Sequence, residues 1–383
     1  MIVNARLLNE PKIKDYVLPM NSTRFAQVQV YRGIAILLVV GFHVCVRWMP
    51  PKNAENLYPW NVFESTPNPF RFGYLGVNLF FIISGFVITQ SVEYSKSIGE
   101  FWVKRVARIW PSLIFIIMTL FLISRIYHLK KNPGVDESFA ALFSSLTLID
   151  PQILQNFIPL FEKTTWLTGV LWSLSVELVF YLLISICYFC FKKIYLHGIF
   201  YLFLGIFLFN TIDLIKPEYF AQHITLESIL TIRHYIFWFY IGMSSYKLVN
   251  GQEYNKIHFY IAYCLNVATE THRHSVEGIT SQLNVMILIT FFHLFFTQKA
   301  LNLNSKNHIS KVLGRIGDIS YEIYLMHEFI LLALLSVPEL HNIGNYSTLI
   351  LIPYFVGIIV LSFQIKNRFS DKLSFKIREF ASD

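Results

Sequence analysis

Ten stretches of this chain, at 31–49, 73–91, 109–126, 169–190, 194–212, 229–247, 256–268, 281–297, 317–337 and 347–365, are apolar over a length that crosses, or nearly crosses, a bilayer. A hydrocarbon core of about 30 Å calls for roughly 20 such residues in a helix. The run at 256–268 is the shortest and is interrupted by Asn266, so it reads as a re-entrant or short tilted span. Composition agrees with this reading. Of 383 residues 54% are hydrophobic and only 15% charged, too little charge to cover a water-soluble domain. The expected fold class is all-α, a polytopic transmembrane helical bundle of about ten spans.

The net charge of +8 does not form a basic stripe with interleaved aromatics, which argues against nucleic acid. Instead, about two-thirds of the 32 Lys and Arg residues fall in the tails and in every second connection, and the positive-inside rule then places both termini in the cytoplasm. The expected divisions are a tail at 1–30, a membrane domain at 31–365 and a second tail at 366–383. No cleavable signal peptide is expected in the first 24 residues, and 127–168, with Pro133-Gly134 and Pro151, reads as a structured outer loop. The four cysteines lie in apolar runs without paired spacing, and the remaining histidines lack ligand spacing, so no metal is assigned.

Within the spans, ionisable residues are costly and point to function. In the first span Arg32 and His43 are eleven residues apart, which on a helix is about 16 Å and nearly the same angle. Separately, Arg32 could snorkel and His43 could be a core histidine. Together on one face they suggest a protein-lined hollow. The second span carries Gly73, Gly76 and Gly85, which suit close helix packing or the approach of a thin ligand, with Ser84 offering a hydroxyl. Arg105 and Arg108 lie three apart on a short amphipathic helix leading to Pro111, placed at the first turn of the third span. That pair serves either as positive-inside anchoring or as a fork for a polyanion such as a nucleotide diphosphate or phosphopantetheine. In WSLSVELVFY, Ser173, Glu177 and Tyr181 share a face, and Glu177 has Arg32 and His43 as available partners, in a functional or a purely structural ion pair. In GDISYEIYLMHEFI, Ser320 and Tyr324 are oxyanion-donor candidates, or a helix cap and an interfacial tyrosine, and His327 reads as structural.

Taken in order, Arg32 with His43, FFIISGF, Arg105-Val-Ala-Arg108, WSLSVELVFY and ISYEIYLMH resemble acyltransferase family 3, integral-membrane enzymes that acylate bacterial polysaccharides. The likeness covers Tyr31 to about Gln364. Departures are Asn78 where the family often has aspartate, Met326 where tryptophan is common, and Leu113 where an aromatic is frequent. Some relatives carry an additional esterase-like domain. This sequence runs only some twenty residues past its last expected span, so direct acylation, or handover to a separate protein, is expected.

The resemblance implies a bacterial inner-membrane enzyme with an acyl-CoA donor, acetyl-CoA above all, on the cytoplasmic side, and a sugar hydroxyl acceptor on a glycan or lipid-linked glycan. On that footing Arg105, Arg108 and Arg32 would hold the CoA phosphates with Ser84 beside the pantetheine arm. His43 would be the general base, Glu177 would orient His43 or neutralise Arg32, and Ser320 or Tyr324 would stabilise the oxyanion. An acyl-histidine relay is a variant of the same scheme. The competing classes are a proton-coupled transporter or flippase of a glycan precursor, and a scaffold in a glycan-assembly complex.

Overall fold

The structure is a computed structural model that describes residues 22–48, 68–127, 135–215, 234–273, 282–283, 285–287, 289–290, 307–335 and 347–381. Among them there is no strand. The elements are α1 (Ser22–Phe42, continued by a π-helical turn His43–Arg47), α2 (Leu75–Glu93), α3 (Ile98–Tyr127), α4 (Phe139–Thr147), α5 (Pro151–Gln155), α6 (Trp172–Phe191), α7 (Tyr195–Ile215), α8 (Ile236–Val249), α9 (Lys256–Arg273), α10 (His308–Asp318), α11 (Ser320–Leu335), α12 (Ser347–Ile365) and α13 (Asp371–Phe380).

Among the described residues five segments are long and apolar enough to cross a membrane: Ala26–Arg47, Leu75–Glu93, Ile98–Tyr127, Gly169–Phe209 and Ile350–Phe380. The fourth holds two of the expected spans, α6 and α7, separated at Lys192 by a backbone at φ 32° that ends α6. Outward faces are apolar at helical spacing: Ile114, Met118, Leu122 and Ile126 on α3 and Ile352, Val356 and Val360 on α12 are all exposed, as lipid contact requires. The expected span at 256–268 is the helix α9, that at 229–247 begins at Ile236 in α8, and that at 281–297 falls mostly outside the described residues.

Small residues set the helix order. A Cβ at Gly33 would lie 2.1 Å from the Leu313 carbonyl oxygen, and one at Gly317 would lie 1.8 Å from that of Gln29, so α1 and α10 meet backbone to backbone. Gly85 and Gly242 do the same for α2 and α8, at 2.1 Å from Phe239 O and 1.9 Å from Ile82 O. Gly76 brings α2 onto Ala35 of α1, at 2.6 Å. The glycines of the second span therefore serve helix packing. They build a row α10–α1–α2–α8, against which α6 and α11 pack, while α3 leans on both α6 and α11. The space between the row and α3, α6 and α11 holds the candidate site.

Two segments differ from expectation. The amphipathic RVAR stretch and the third span are one continuous helix of 30 residues, α3, with Pro111 inside it rather than at a first turn. Lacking an N–H, Pro111 removes one rung of the helix, and close by Tyr321 OH donates to the carbonyl of Ile109 at 3.1 Å. Of the segment assigned to a tail, 366–383, the described part is a π-helical turn (Lys366–Ser370) followed by α13, which packs against α3. The loop read as structured holds α4, capped by Ser138 on Ala141 N, and α5, capped by Asp150 on Gln152 N with Pro151 at its first position.

Candidate active site

Seven of the eight catalytic and donor-binding candidates line one cavity of about 380 Å³: Arg32, Ser84, Arg105, Arg108, Glu177, Ser320 and Tyr324. Helical spacing explains the convergence. Arg105 and Arg108 turn from α3 toward the same space, and Glu177 and Tyr181, four apart on α6, reach it from the other side. Glu177 accepts hydrogen bonds from Ser84 Oγ (2.5 Å) and from Tyr181 OH. Arg32 donates to Gln29 Oε1 at 3.4 Å. Arg105 is 5% exposed, donates to Ser91 Oγ at 3.1 Å, stacks its guanidinium 5.8 Å from the Phe101 ring centre, and keeps Nε without a partner.

The same cavity is lined by three further cations: Lys104, Lys366 and Arg378. Lys104 is paired with Glu100 at 2.7 Å and Lys366 with Asp371 at 3.2 Å. Among the described residues, the four arginines have no carboxylate at ion-pair distance, and Glu177 is the one acidic residue in the lining. Arg105 is buried, Arg32 and Arg378 are half-buried and Arg108 is exposed, so the lining carries an excess of positive charge, of a kind that suits a polyanion. Next to the basic end, Val77, Phe80, Phe81, Ile83 and Val87 supply an apolar wall suited to a thin chain.

His43 lies beyond the lining of this cavity, in a second cluster. It opens the π-helical turn at the end of α1, which Trp48 N–H closes on His43 O at 3.1 Å. Its Nε2 is 3.5 Å from Glu328 Oε1, and its Nδ1 is 2.9 Å from Val39 O and 3.3 Å from His327 Nε2. His327 is fully buried, with Nδ1 facing the carbonyls of Ile323 (3.2 Å) and Tyr324 (2.9 Å).

These partners fix the tautomers. Carbonyls only accept, so His327 carries its proton on Nδ1 and presents the Nε2 lone pair to His43. His43 Nδ1, facing a carbonyl and that lone pair, must also carry hydrogen. The basic nitrogen of His43 is then Nε2, and a proton arriving there meets a carboxylate. Glu328 is held in place by Trp48 Nε1–H (3.1 Å), Thr168 Oγ1–H (3.1 Å) and the Val170 N–H (2.9 Å) in the turn just before α6.

This corrects the pairing expected from the sequence. The carboxylate at His43 is Glu328, whereas Glu177 is bonded to Ser84 and Tyr181 in the basic cavity. His327, read as structural, touches His43 directly. Both missed residues carried the signal that drew attention to Glu177, an ionisable side chain within an apolar run. Of the two oxyanion candidates, Tyr324 OH is engaged, donating to Val170 O at 3.0 Å with Ser173 Oγ at 2.7 Å, while Ser320 Oγ is buried without a partner. Tyr324 links the two clusters, because it lines the cavity while its ring centre is 5.6 Å from that of His327. Among the described residues no group of three or more His, Cys, Asp or Glu side chains is placed to hold a metal ion.

A lipid-facing helical bundle that encloses a basic cavity with an apolar wall, next to an imidazole backed by a carboxylate, has the layout of a membrane group-transfer enzyme. The family profile described as acyltransferase domain matches residues 25–366, and the chain belongs to acyltransferase family 3. Similar curated proteins are nodulation protein 10 of Rhizobium leguminosarum, 32% identical over 117 residues (28% of this chain and 31% of the relative), and the peptidoglycan O-acetyltransferase OatA of Listeria monocytogenes, 22% identical over 169 residues (40% and 22%). The matches thus span less than a third of either relative's length. No solved structure matches the chain.

Proposed function

We propose that the protein is a membrane O-acyltransferase that moves an acyl group, acetyl above all, from cytoplasmic acyl-CoA to a sugar hydroxyl of a cell-surface or exported polysaccharide or its lipid-linked precursor. The observation that carries this reading is the pairing of a cavity lined by four arginines without carboxylate partners with a histidine whose Nε2 is free to take a proton beside Glu328. Family membership supports acyl transfer, and the relative named as a peptidoglycan O-acetyltransferase supports acetyl as the group and a glycan as the acceptor. The long apolar helices support an inner-membrane enzyme, with both termini cytoplasmic on the charge distribution.

The chemistry follows from the geometry. Arg105 and Arg108, with Arg32, hold the donor phosphates, and the pantetheine arm runs along the apolar wall past Ser84. The acceptor oxygen attacks the thioester carbonyl, and its proton passes to His43 Nε2. Glu328 stabilises the imidazolium so formed, while the His327 Nε2 lone pair keeps Nδ1–H in place. Ser320 Oγ–H supplies a donor for the developing oxyanion. The C–S bond then breaks, and the imidazolium returns the proton to the departing thiolate. Glu177 is bonded to Ser84 and Tyr181 and has no direct part in this transfer scheme. It sets the electrostatic balance of the arginine cavity.

The test is a comparison of the surface glycans of a strain lacking the gene with its parent by mass spectrometry. Loss of an acyl increment, restored by the wild-type gene and not by His43→Gln, is expected. An unchanged acylation pattern contradicts the assignment.

A further inference from the structure

We propose that the segment after the last span makes the cavity selective for a donor carrying a phosphate monoester apart from its diphosphate, with Arg378 and Lys366 holding that monoester. This rests on the acyl-CoA reading of the cavity and assigns a specificity role to residues that the sequence places in a tail.

Arg378 and Lys366 belong to a separate element from Arg105 and Arg108, yet all four line the same cavity. These four therefore come from two elements, α3 and the Lys366–α13 segment, and Arg32 joins them from α1. The segment is pinned in place: Ser370 Oγ is 2.5 Å from Ser112 Oγ, which donates to Glu322 Oε1 at 2.7 Å, and α13 packs along α3. Arg378 and Arg105 each keep a buried Nε without an acceptor. Among the described residues neither guanidinium has a carboxylate at ion-pair distance, and cations without counterions around one cavity favour an anionic ligand.

Charge selects the ligand. Four unneutralised guanidiniums suit a donor with a diphosphate diester of about −2 and a separate phosphate monoester of about −2, the charge such a group carries at neutral pH. A carrier-protein arm offers one phosphodiester only, of charge about −1, and leaves three of these four arginines unanswered. Acyl-CoA, with its ribose 3′-phosphate, has both groups.

The test measures equilibrium binding of acetyl-CoA and of acetyl-3′-dephospho-CoA to the full chain in nanodiscs. Wild type should prefer acetyl-CoA by about tenfold or more, the worth of one lost charge-assisted contact. Arg378→Gln should weaken acetyl-CoA to the dephospho level and leave dephospho-CoA unaffected, so that the preference vanishes. Arg105→Gln should weaken both ligands. Retained binding of the dephospho ligand reports that Arg378→Gln is folded. If that variant binds neither ligand, Lys366→Gln decides, and an undiminished preference there overturns the proposal. A wild type without preference, or an Arg378→Gln that keeps it, also overturns the proposal while leaving the acyl-CoA reading intact. A wild type that binds neither ligand removes that reading and this inference with it.

Discussion

Replacing Glu328 by Gln removes one charge from the histidine cluster and almost no volume. In the native site Oε2 accepts from Val170 N–H and Thr168 Oγ1–H, so the amide oxygen of the variant stays on that side and its NH₂ turns toward Trp48 Nε1–H and His43 Nε2. Two things are then lost: the carboxylate that meets the imidazolium, and the lone pair on His43 Nε2, which now accepts from the amide. Unit charges 3.5 Å apart interact by about 5 kcal/mol at an effective dielectric constant of about 20. His43 is 15% exposed on its side chain, so some screening applies and about 3–4 kcal/mol is expected in the transition state. That corresponds to a fall in kcat of about 10²–10³. Glu328 does not line the basic cavity, so KM for acetyl-CoA should stay within about twofold. Steady-state release of CoA thiol by the purified variant, with circular dichroism as a check on folding, gives both numbers. A kcat within threefold of wild type, or a loss confined to KM, refutes the positioning role of Glu328.

Three further outcomes follow from the same geometry. Arg105→Lys keeps the charge but loses the planar fork and the 3.1 Å bond to Ser91, so KM for acetyl-CoA should rise about tenfold with kcat within about twofold, and a change in kcat alone would contradict donor binding by Arg105. Ser320→Ala removes a hydroxyl that has no partner, so kcat should fall roughly a hundredfold while the thermal midpoint holds, and unchanged turnover would exclude Ser320 from the oxyanion site. Gly317→Ala drives a Cβ to 1.8 Å from Gln29 O and should lower the thermal midpoint by about 5 °C, whereas Gly314→Ala, whose Cβ would approach Val30 no closer than 3.9 Å, should leave it unchanged.

What could be read from the sequence depended on whether a residue's cost was local. Arg32, Arg105, Arg108 and Glu177 stood out because a charge in an apolar run needs company wherever the helix ends up, and all four line the cavity. Which partner each one finds is a question of helix packing. His43 and Glu328 are separated by 285 positions, and nothing along the chain ranks Glu328 above Glu177 as the carboxylate that reaches it. The π-helical turn at His43, which sets His43 and Trp48 on the same carboxylate oxygen, has no sequence signature of its own. The basic residues after Ile365 satisfied the positive-inside rule so well that a second role for Arg378 was hidden. It emerges only when α13 folds back along α3.

The most direct measurement is CoA thiol release by the purified protein with acetyl-CoA, with and without a glycan acceptor, for wild type and His43→Gln side by side. The account predicts acceptor-dependent release by wild type and none by His43→Gln, although the variant binds acetyl-CoA with wild-type affinity because His43 lies outside the basic cavity. Release by His43→Gln at the wild-type rate, or proton-coupled glycan flux through a wild type that never consumes acetyl-CoA, would contradict it.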